Sequence, residues 1–394
     1  MQEDRRTPHR LALRLLTATI FSFIFLSARI FVHPSCAADD ALNRLFEQVL
    51  RDPTNSAFNL NYAKAAIEQG ELRKALAAYE RVLAVDPKNE DARLGMQRLR
   101  RLLEPDATSL VFAIGPQFES NPGHNSGRQD SKTYDYVTFG RAQLIDQRRI
   151  ENMRWRTETD LFANSHARHQ SLDYGIISVR SGPILDLTTE LSIQPFFSPS
   201  LSWLNGRILV TELSPGAVFE FRGLEYLKSV SVRGAYGFVD NQISDRDSIQ
   251  FEIVARFLAN QIIAAGDIAV FAPYYRYNTV RGTGAAGSLV TGEQYPLRFH
   301  QVGMRADHYV PIVENLTLGS YVSVEYRHYF ESTSDGSKHR RDMLVSPGVQ
   351  LIFSGIVFKQ TDISIGYQFD YNSSNDSAHR YLNHIAGARL IWRM

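Results

Sequence analysis

The sequence predicts an α+β protein in which the two kinds of structure are separated by domain. A small all-α domain comes first, and an antiparallel transmembrane β-barrel of about 14 strands follows. Three observations support this prediction. Residues 39–105 are rich in strong helix formers and show a 34-residue period. From Thr108 to Met394, polar and apolar residues alternate with the period of two that strands require. The connections between these strands alternate between long and short.

Residues 1–38 have the layout of a secretory signal peptide. Arg5, Arg6, Arg10 and Arg14 precede an apolar run over 15–26, and small residues follow at 35–38. The alternative is a retained anchor, but the run is shorter than the ~20 residues that a helical span needs. Cleavage near Ala38 would remove the single cysteine of the chain. The mature chain would then have neither a disulfide nor a cysteine-based metal site, which suits the oxidising periplasm.

Charge and composition narrow the classes of partner. The formal net charge is +1, so no electrostatic argument favours a nucleic acid, and we expect none as a partner. Aromatic residues make up 11% of the chain, which fits a β-rich protein with rings at a membrane interface.

Residues 39–105 are predicted to form a helical repeat. Asp52-Pro53 and Asp86-Pro87 lie 34 residues apart, and this spacing, with Ala63, Ala75 and Tyr79 between them, resembles the tetratricopeptide repeat. Flanking half-repeats would cap it, so we expect about four helices. Such repeats usually present a groove to a peptide; the alternative is a helical spacer without a partner. By analogy with the concave face of the repeat, the residues that would line the groove are Leu60, Lys64, Ile67 and Glu68.

Residues 106–394 are predicted to form the barrel. Around Ser229–Val239, Val230, Val232 and Tyr236 alternate with Ser231 and Arg233. The predicted strands are 108–119, 133–147, 152–165, 171–184, 189–203, 207–222, 228–240, 247–259, 266–279, 297–309, 314–330, 341–354, 357–372 and 380–394.

The connections favour a membrane barrel over a soluble sandwich. The long ones are predicted at 121–131, 165–170, 241–246, 281–293, 331–340 and 372–378, with a two-residue hairpin at Asn205-Gly206 on the same side. The short ones are predicted at 148–151, 186–189, 223–227, 260–265, 311–314 and at Gly355. Because lipid offers no hydrogen-bond partners, the last strand must pair with the first. We therefore expect an outer-membrane protein of a Gram-negative bacterium with its N-terminal domain in the periplasm.

Charged residues fall on the polar faces of several strands, where they would line the interior. Two interpretations remain open: pairs of opposite charge that stabilise the wall, or a conduit lined for a polar cargo. Because about 14 strands make a wider barrel than the eight-stranded kind that side chains fill, we expect either an open lumen or a plug. These predicted interior charges are Arg154, Arg156, Glu158, Asp160, Arg233, Glu325, Arg327 and Asp370.

No motif indicates catalysis. Asn383 and His384 could contribute to a catalytic group with a serine, but no serine in the sequence is placed to act with them. As neighbours in a strand, the two residues also face opposite ways. Phosphate-binding loops, His-Glu-x-x-His and nucleophile elbows are absent from the sequence. We therefore expect no enzyme activity and neither a cofactor nor a metal.

The whole arrangement resembles the Slam family, the surface lipoprotein assembly modulators, also called type XI secretion outer-membrane proteins. The residues Phe118-Glu119-Ser120-Asn121-Pro122 are similar to an element at the start of that family's barrel. The final strand, which ends at Met394, looks like those recognised by the barrel-assembly machinery during biogenesis. The resemblance implies contact with outer-membrane lipid and the export or surface display of a folded or partly folded protein or lipoprotein client, captured by the helical domain. The alternatives are an exopolysaccharide export porin with a helical adaptor and a passive porin.

Overall fold

The computed structural model describes residues 36–124, 134–151, 153–239, 247–279, 298–332, 336 and 338–394. The chain divides into two compact units, residues 1–103 and 104–394. Residues 1–35 of the predicted signal peptide lie outside the described residues.

In the described part of the first unit there are four helices, as predicted: α1 (Cys36–Arg51), α2 (Ser56–Glu68), α3 (Leu72–Val85) and α4 (Glu90–Leu103). The side chain of Asn55 caps α2 by accepting from the backbone N–H groups of Ala57 and Phe58. The small residues Ala63 and Ala75 are fully buried, which lets neighbouring helices approach closely. Within the described residues, no helix combines the length and apolarity that a helical membrane span requires.

Asn59 is a polar residue within the apolar core of the helical unit. Its side chain is 1% exposed. Its amide nitrogen donates to the carbonyl oxygens of Pro53 and Asn55, and its oxygen accepts from Arg81 Nε at 2.9 Å. Both the nitrogen and the oxygen of this amide therefore have hydrogen-bond partners, and the bond to Arg81 connects α2 to α3.

Fourteen antiparallel strands form a closed barrel, again as predicted. Each strand pairs with its neighbours in sequence, and β1 pairs with β14. The strands are β1 (Ala107–Glu119), β2 (Asp135–Ile150), β3 (Met153–His166), β4 (Tyr174–Asp186), β5 (Leu191–Leu204), β6 (Arg207–Phe221), β7 (Leu227–Val239), β8 (Ser248–Asn260), β9 (Ile268–Asn278), β10 (Phe299–Val313), β11 (Leu316–Ser332), β12 (His339–Ser354), β13 (Thr361–Ser374) and β14 (Tyr381–Arg393).

The barrel has two ends, which we name by their connections. The turn end carries the start of β1, the end of β14 and the turns after the even-numbered strands up to β12; the loop end carries the other connections. The hairpin at Asn205-Gly206 lies at the loop end and joins β5 to β6. Both of its residues have positive φ, as a type I′ turn requires. The predicted loops 241–246 and 281–293, and most of 121–131, lie outside the described residues.

The turn after β12 is longer than the single Gly355 that the sequence indicates. It covers 355–360, and β13 begins at Thr361. The Gly355 N–H donates to the Thr361 carbonyl, and the Thr361 N–H donates to the Phe358 carbonyl. These local bonds occupy backbone groups that a longer β12–β13 ladder would use, so the prediction that β13 starts at 357 is wrong.

Candidate functional site: the interior wall of the barrel

The strand register separates an inner face from an outer face. Arg156 on β3 reaches Glu220 on β6 at 2.8 Å, and Arg389 on β14 reaches Gln350 on β12 at 2.7 Å. These strands are not neighbours, so their side chains can meet only across the concave interior. Successive side chains along a strand point to opposite faces, and register partners on adjacent strands point to the same face. The register therefore extends the inward assignment from these four side chains to every second residue of each strand, and the residues between them face outward.

Large apolar side chains cover the outer face. Many are more than a third exposed, which is unfavourable in water and expected against hydrocarbon. Examples on seven strands are Ile114, Leu144, Leu161, Ile177, Ile253, Leu351 and Ile365. The closed fold and this surface together make the second unit an outer-membrane-type barrel.

Arginines and carboxylates form an extended series of ion pairs on the inner face. Arg233 lies between Glu212, at 2.6 Å, and Glu252, at 3.7 Å, and Arg276 binds the same Glu252 at 2.5 Å. This series therefore links β6, β7, β8 and β9. Opposite charges that share the inner wall offset one another's desolvation. Further inner pairs are Arg141–Asp160, Arg180–Glu158, Arg305–Asp307, Arg327–Glu325, Arg340–Asp342 and Arg393–Asp362.

All eight predicted interior charges lie on the inner face, but the structure pairs only two of them with each other. These are Glu325 and Arg327, at 2.9 Å. Five further ion partners were not among our candidates: Asp106, Arg141, Arg180, Glu212 and Glu220. Asp370 accepts from Gln368 at 2.7 Å rather than from a cation. Alternation alone would have placed Arg180, Glu212 and Glu220 on the inner face, and this signal was overlooked.

Arg154 anchors the segment that precedes the barrel. Its side chain is 1% exposed, and its two terminal nitrogens donate at 2.9 Å to Asp106 Oδ1 and to the Pro105 carbonyl. The Arg149 backbone N–H also donates to Asp106 and is the main reason that the pKa of this carboxyl is lowered; Arg154 lowers it further. A predicted interior charge thus fixes the chain just before β1.

Tyrosines on the inner face add a component that sequence reasoning missed. Tyr274, Tyr309 and Tyr321 have the inward register. The Arg305 guanidinium lies 4.6 Å from the centre of the Tyr321 ring, and the Tyr321 hydroxyl donates to Gln368 on β13 at 2.9 Å. The inner wall over β9–β13 therefore presents both rings and hydrogen-bonding groups.

The predicted groove residues of the helical unit divide into two kinds. Leu60 and Ile67 are partly buried and pack against the core of the helices, whereas Lys64 and Glu68 are exposed. Asn383 and His384 lie on opposite faces of β14. The buried Asn383 accepts from the Asn121 N–H at 2.8 Å, and the outward His384 lies 2.6 Å from the Tyr367 hydroxyl.

The strand number sets the width of the interior. Fourteen strands spaced ~4.8 Å apart and tilted by about 40° enclose a cylinder of roughly 28 Å diameter between backbones. Two layers of side chains, about 5 Å each, leave at most roughly 18 Å. That width admits an extended chain or one α-helix of ~10–12 Å, but not a folded domain of about 30 Å.

Comparisons with known proteins give one family and several structures. The family model of the tetratricopeptide repeat matches residues 37–99. No curated protein matches the chain. Among solved structures, a bacterial polysaccharide outer membrane secretin is similar with 11% identity and a TM-score of 0.39, covering 73% of this chain and 98% of that one. OprD from Pseudomonas aeruginosa has 8% identity and a TM-score of 0.36, covering 73% and 93%. The COG4313 outer membrane channel from Pseudomonas putida F1 has 9% identity and a TM-score of 0.38, covering 74% and 97%. The family model agrees with the helical unit described above, and the closed strand order and apolar outer face of the second unit are those of an outer-membrane-type barrel.

Proposed function

We propose that this protein is an outer-membrane translocon that exports or displays a protein or lipoprotein client taken up by its helical repeats in the periplasm. The observation that carries the proposal is the coupling of the two units in one chain. A peptide-binding type of repeat ends at Leu103, and β1 begins at Ala107. Arg154, inside the barrel, holds two of the three connecting residues. A passive porin has no evident need for such a unit.

The interior supports passage of a polar chain in extended form. Its guanidinium and carboxylate groups largely neutralise one another in pairs, so neither charge sign in a passing chain meets a strong net repulsion. The width derived above excludes a folded domain, so we propose that the client crosses unfolded. The family resemblance implies passage of folded or partly folded clients, and our proposal differs from it for the folded ones.

Deletion of residues 39–104 tests the proposal in cells. The truncated protein should still enter the outer membrane, because the strands of the barrel pair in a closed ring without any contribution from the helices. The client should no longer reach the cell surface. Surface proteins of the wild-type, deletion and null strains would be compared by biotinylation with an impermeant reagent. Unchanged surface proteins in both mutant strains would contradict the proposal.

The same strains separate the alternatives. Loss of a surface polysaccharide with unchanged surface proteins would identify polymer export. Reduced uptake of small solutes, with both surface polymers unchanged, would identify a passive porin.

A further inference from the structure

The two strands that close the barrel meet differently from all other neighbours. We call the line along which β1 and β14 pair the seam. Of the fourteen described strands, these two are the only neighbours that are not consecutive in the sequence. On β1, pairing with β14 runs up to Ile114 and resumes at Gln117, whereas the two residues between them have no partner on β14. The interruption therefore leaves a short segment of the seam, Gln117 to Ser120, between itself and the loop end.

Pro116 explains the interruption. Leu110 and Met394 exchange two backbone hydrogen bonds, and such pairs recur at every second position of an antiparallel ladder. Pro116 therefore lies at a hydrogen-bonding position, where it has no N–H to donate to β14. Pro215 lies at a similar interruption between β6 and β7, but a turn joins those two strands. Because no turn joins β1 to β14, the loop-end segment of the seam is the part of the wall best able to separate.

Side-chain hydrogen bonds fasten the seam at the loop end. The Asn121 N–H donates to Asn383 Oδ1 at 2.8 Å, and the Asn121 side chain donates to the Leu382 carbonyl at 3.1 Å. The His384 N–H donates to Ser120 Oγ at 2.8 Å. Because the loop end borders water, water can replace each of these partners, so the fastening can open and form again.

The inner side of the seam is apolar, whereas other strands carry ion pairs on the inner face. Its inward side chains include Val111, Ala113, Ile385 and Ile391. Arg389 also faces inward here, but its guanidinium donates to Gln350 on β12 and so points away from β1. An apolar chain in the interior would therefore have its most favourable contacts at the seam.

A groove of about 440 Å³ lies on the outer side of the seam, at the level of the interruption. Its outward-facing residues are Ile114, Pro116, Thr138, Ile363, Ala388 and Leu390. Beside it on β2, a Cβ atom added at Gly140 would meet nothing within 4 Å, so the surface is hollow there as well. The groove is continuous with the apolar outer face that contacts lipid, so the occupant that fits it is an acyl chain.

We propose that the acyl chains of a lipoprotein client leave the interior through the loop-end segment of the seam and lie in this groove on the lipid side. The inference rests on the proposed function, and it selects an acylated client over an unacylated one. The polypeptide of such a client can follow the charged interior, whereas its acyl chains are unfavourable there. Separation of β1 from β14 lets these chains enter the membrane while the polypeptide leaves at the loop end.

A disulfide across the seam tests the proposal in cells. In a Cys36→Ser background, Glu119→Cys/Ile385→Cys joins two register partners of the loop-end segment. The matched control Ser323→Cys/Ser346→Cys joins register partners on β11 and β12, which the proposal keeps together. Acylated proteins would be labelled in the cells with an alkyne fatty acid, and those at the surface would be captured with an impermeant biotin reagent. The client is the surface protein that a null strain lacks.

We expect the seam disulfide to abolish surface display of the alkyne-labelled client and reduction of that disulfide to restore it. The control disulfide should leave display at the wild-type level. Ala388→Phe, which fills the groove, should reduce display, whereas Ala255→Phe on the outer face of β8 should not. Heat-modifiable migration of each variant would establish folding.

Three results would overturn the inference. They are full display with the seam crosslinked, equal loss of display in the two crosslinked proteins, and a client that carries no alkyne label. Each of these results leaves the proposed function standing, because a surface client still depends on the protein. A null strain that lacks no surface protein would contradict the proposed function and the inference together.

Discussion

Asn59 shows how one buried amide can hold two helices of a small domain. Its replacement by alanine removes the acceptor of Arg81 Nε and the donor to the Pro53 and Asn55 carbonyls. Leaving such groups unsatisfied costs about 1–3 kcal/mol, so Asn59→Ala should lower the melting temperature of the helical signal.

The control for this prediction lies on the same helix. Asn61 is exposed, so Asn61→Ala should change the melting temperature little. Circular dichroism of the full chain at 222 nm would follow the helices. Equal melting of the two variants would contradict the role assigned to Asn59.

Asp267 lies in the turn between β8 and β9 and has no exposed surface. Burial raises its pKa, but backbone N–H groups of Ile263, Ala264 and Ile262 and the His308 ring more than offset this effect. The pKa therefore lies well below the usual carboxyl range.

This pKa gives the turn a defined response to acid. Because the folded-state pKa is below the unfolded value, the carboxylate stabilises the turn above the unfolded pKa and loses that effect only as the pH falls through the folded pKa. We expect the amides of residues 262–264 to keep their hydrogen-exchange protection at pH 4, where an ordinary aspartate is about half protonated. Asp267→Asn should lower that protection at neutral pH; equal protection in the two proteins would contradict this assignment.

At the scale of elements, the pairing of β1 with β14 depends on a residue without a side chain. A Cβ atom added at Gly115 would lie 1.9 Å from the Ala388 carbonyl oxygen, which is backbone of β14 and cannot move aside. Gly115→Val should therefore weaken closure and reduce the fraction of protein with heat-modifiable migration on gels.

The control substitution is at Gly234 on β7, because a Cβ atom added there would have no other atom within 4 Å. Gly234→Val should fold like the wild type and add β propensity. A Gly115→Val protein that folds as completely as Gly234→Val would show that the β1–β14 pairing tolerates displacement.

The strands were predictable because alternation is a local property of the sequence. Val230, Val232 and Tyr236 face outward, opposite Ser231 and Arg233, in agreement with the pattern. Turn lengths were less predictable. The turns that precede β9 and β13 are extended by hydrogen bonds between backbone groups and the side chains of Asp267 and Thr361, and periodicity in the sequence does not indicate such bonds.

The ion pairs of the interior were only partly predictable, because their partners come from strands that are distant in the sequence. Arg156 binds Glu220 three strands away, and that contact depends on closure and strand tilt rather than on spacing in the sequence. The anchoring of Asp106 by Arg154 likewise joins residues 48 positions apart. Charge on an inward position was visible in the sequence, whereas the identity of its partner was not.

At the scale of the whole molecule, the proposed orientation puts the loop end outside the cell. Ala378 is exposed at the loop end, and Ile263 is 77% exposed at the turn end. In a Cys36→Ser background, an impermeant maleimide should label Ala378→Cys on intact cells, and Ile263→Cys only after the outer membrane is permeabilised. The reverse pattern would contradict the periplasmic location of the helical unit.

Closure of the barrel underlies every functional statement, since an open sheet would have neither an interior nor a stable place in lipid. Ala113 and Ile391 are register partners across β1 and β14. Antiparallel partners have Cα atoms about 4.5–5.5 Å apart, within the range of a disulfide. In the Cys36→Ser background, oxidation of Ala113→Cys/Ile391→Cys should therefore join the two strands, whereas the out-of-register pair Ala113→Cys/Ile385→Cys should stay reduced. A folded protein in which neither pair forms a crosslink would contradict the closed barrel.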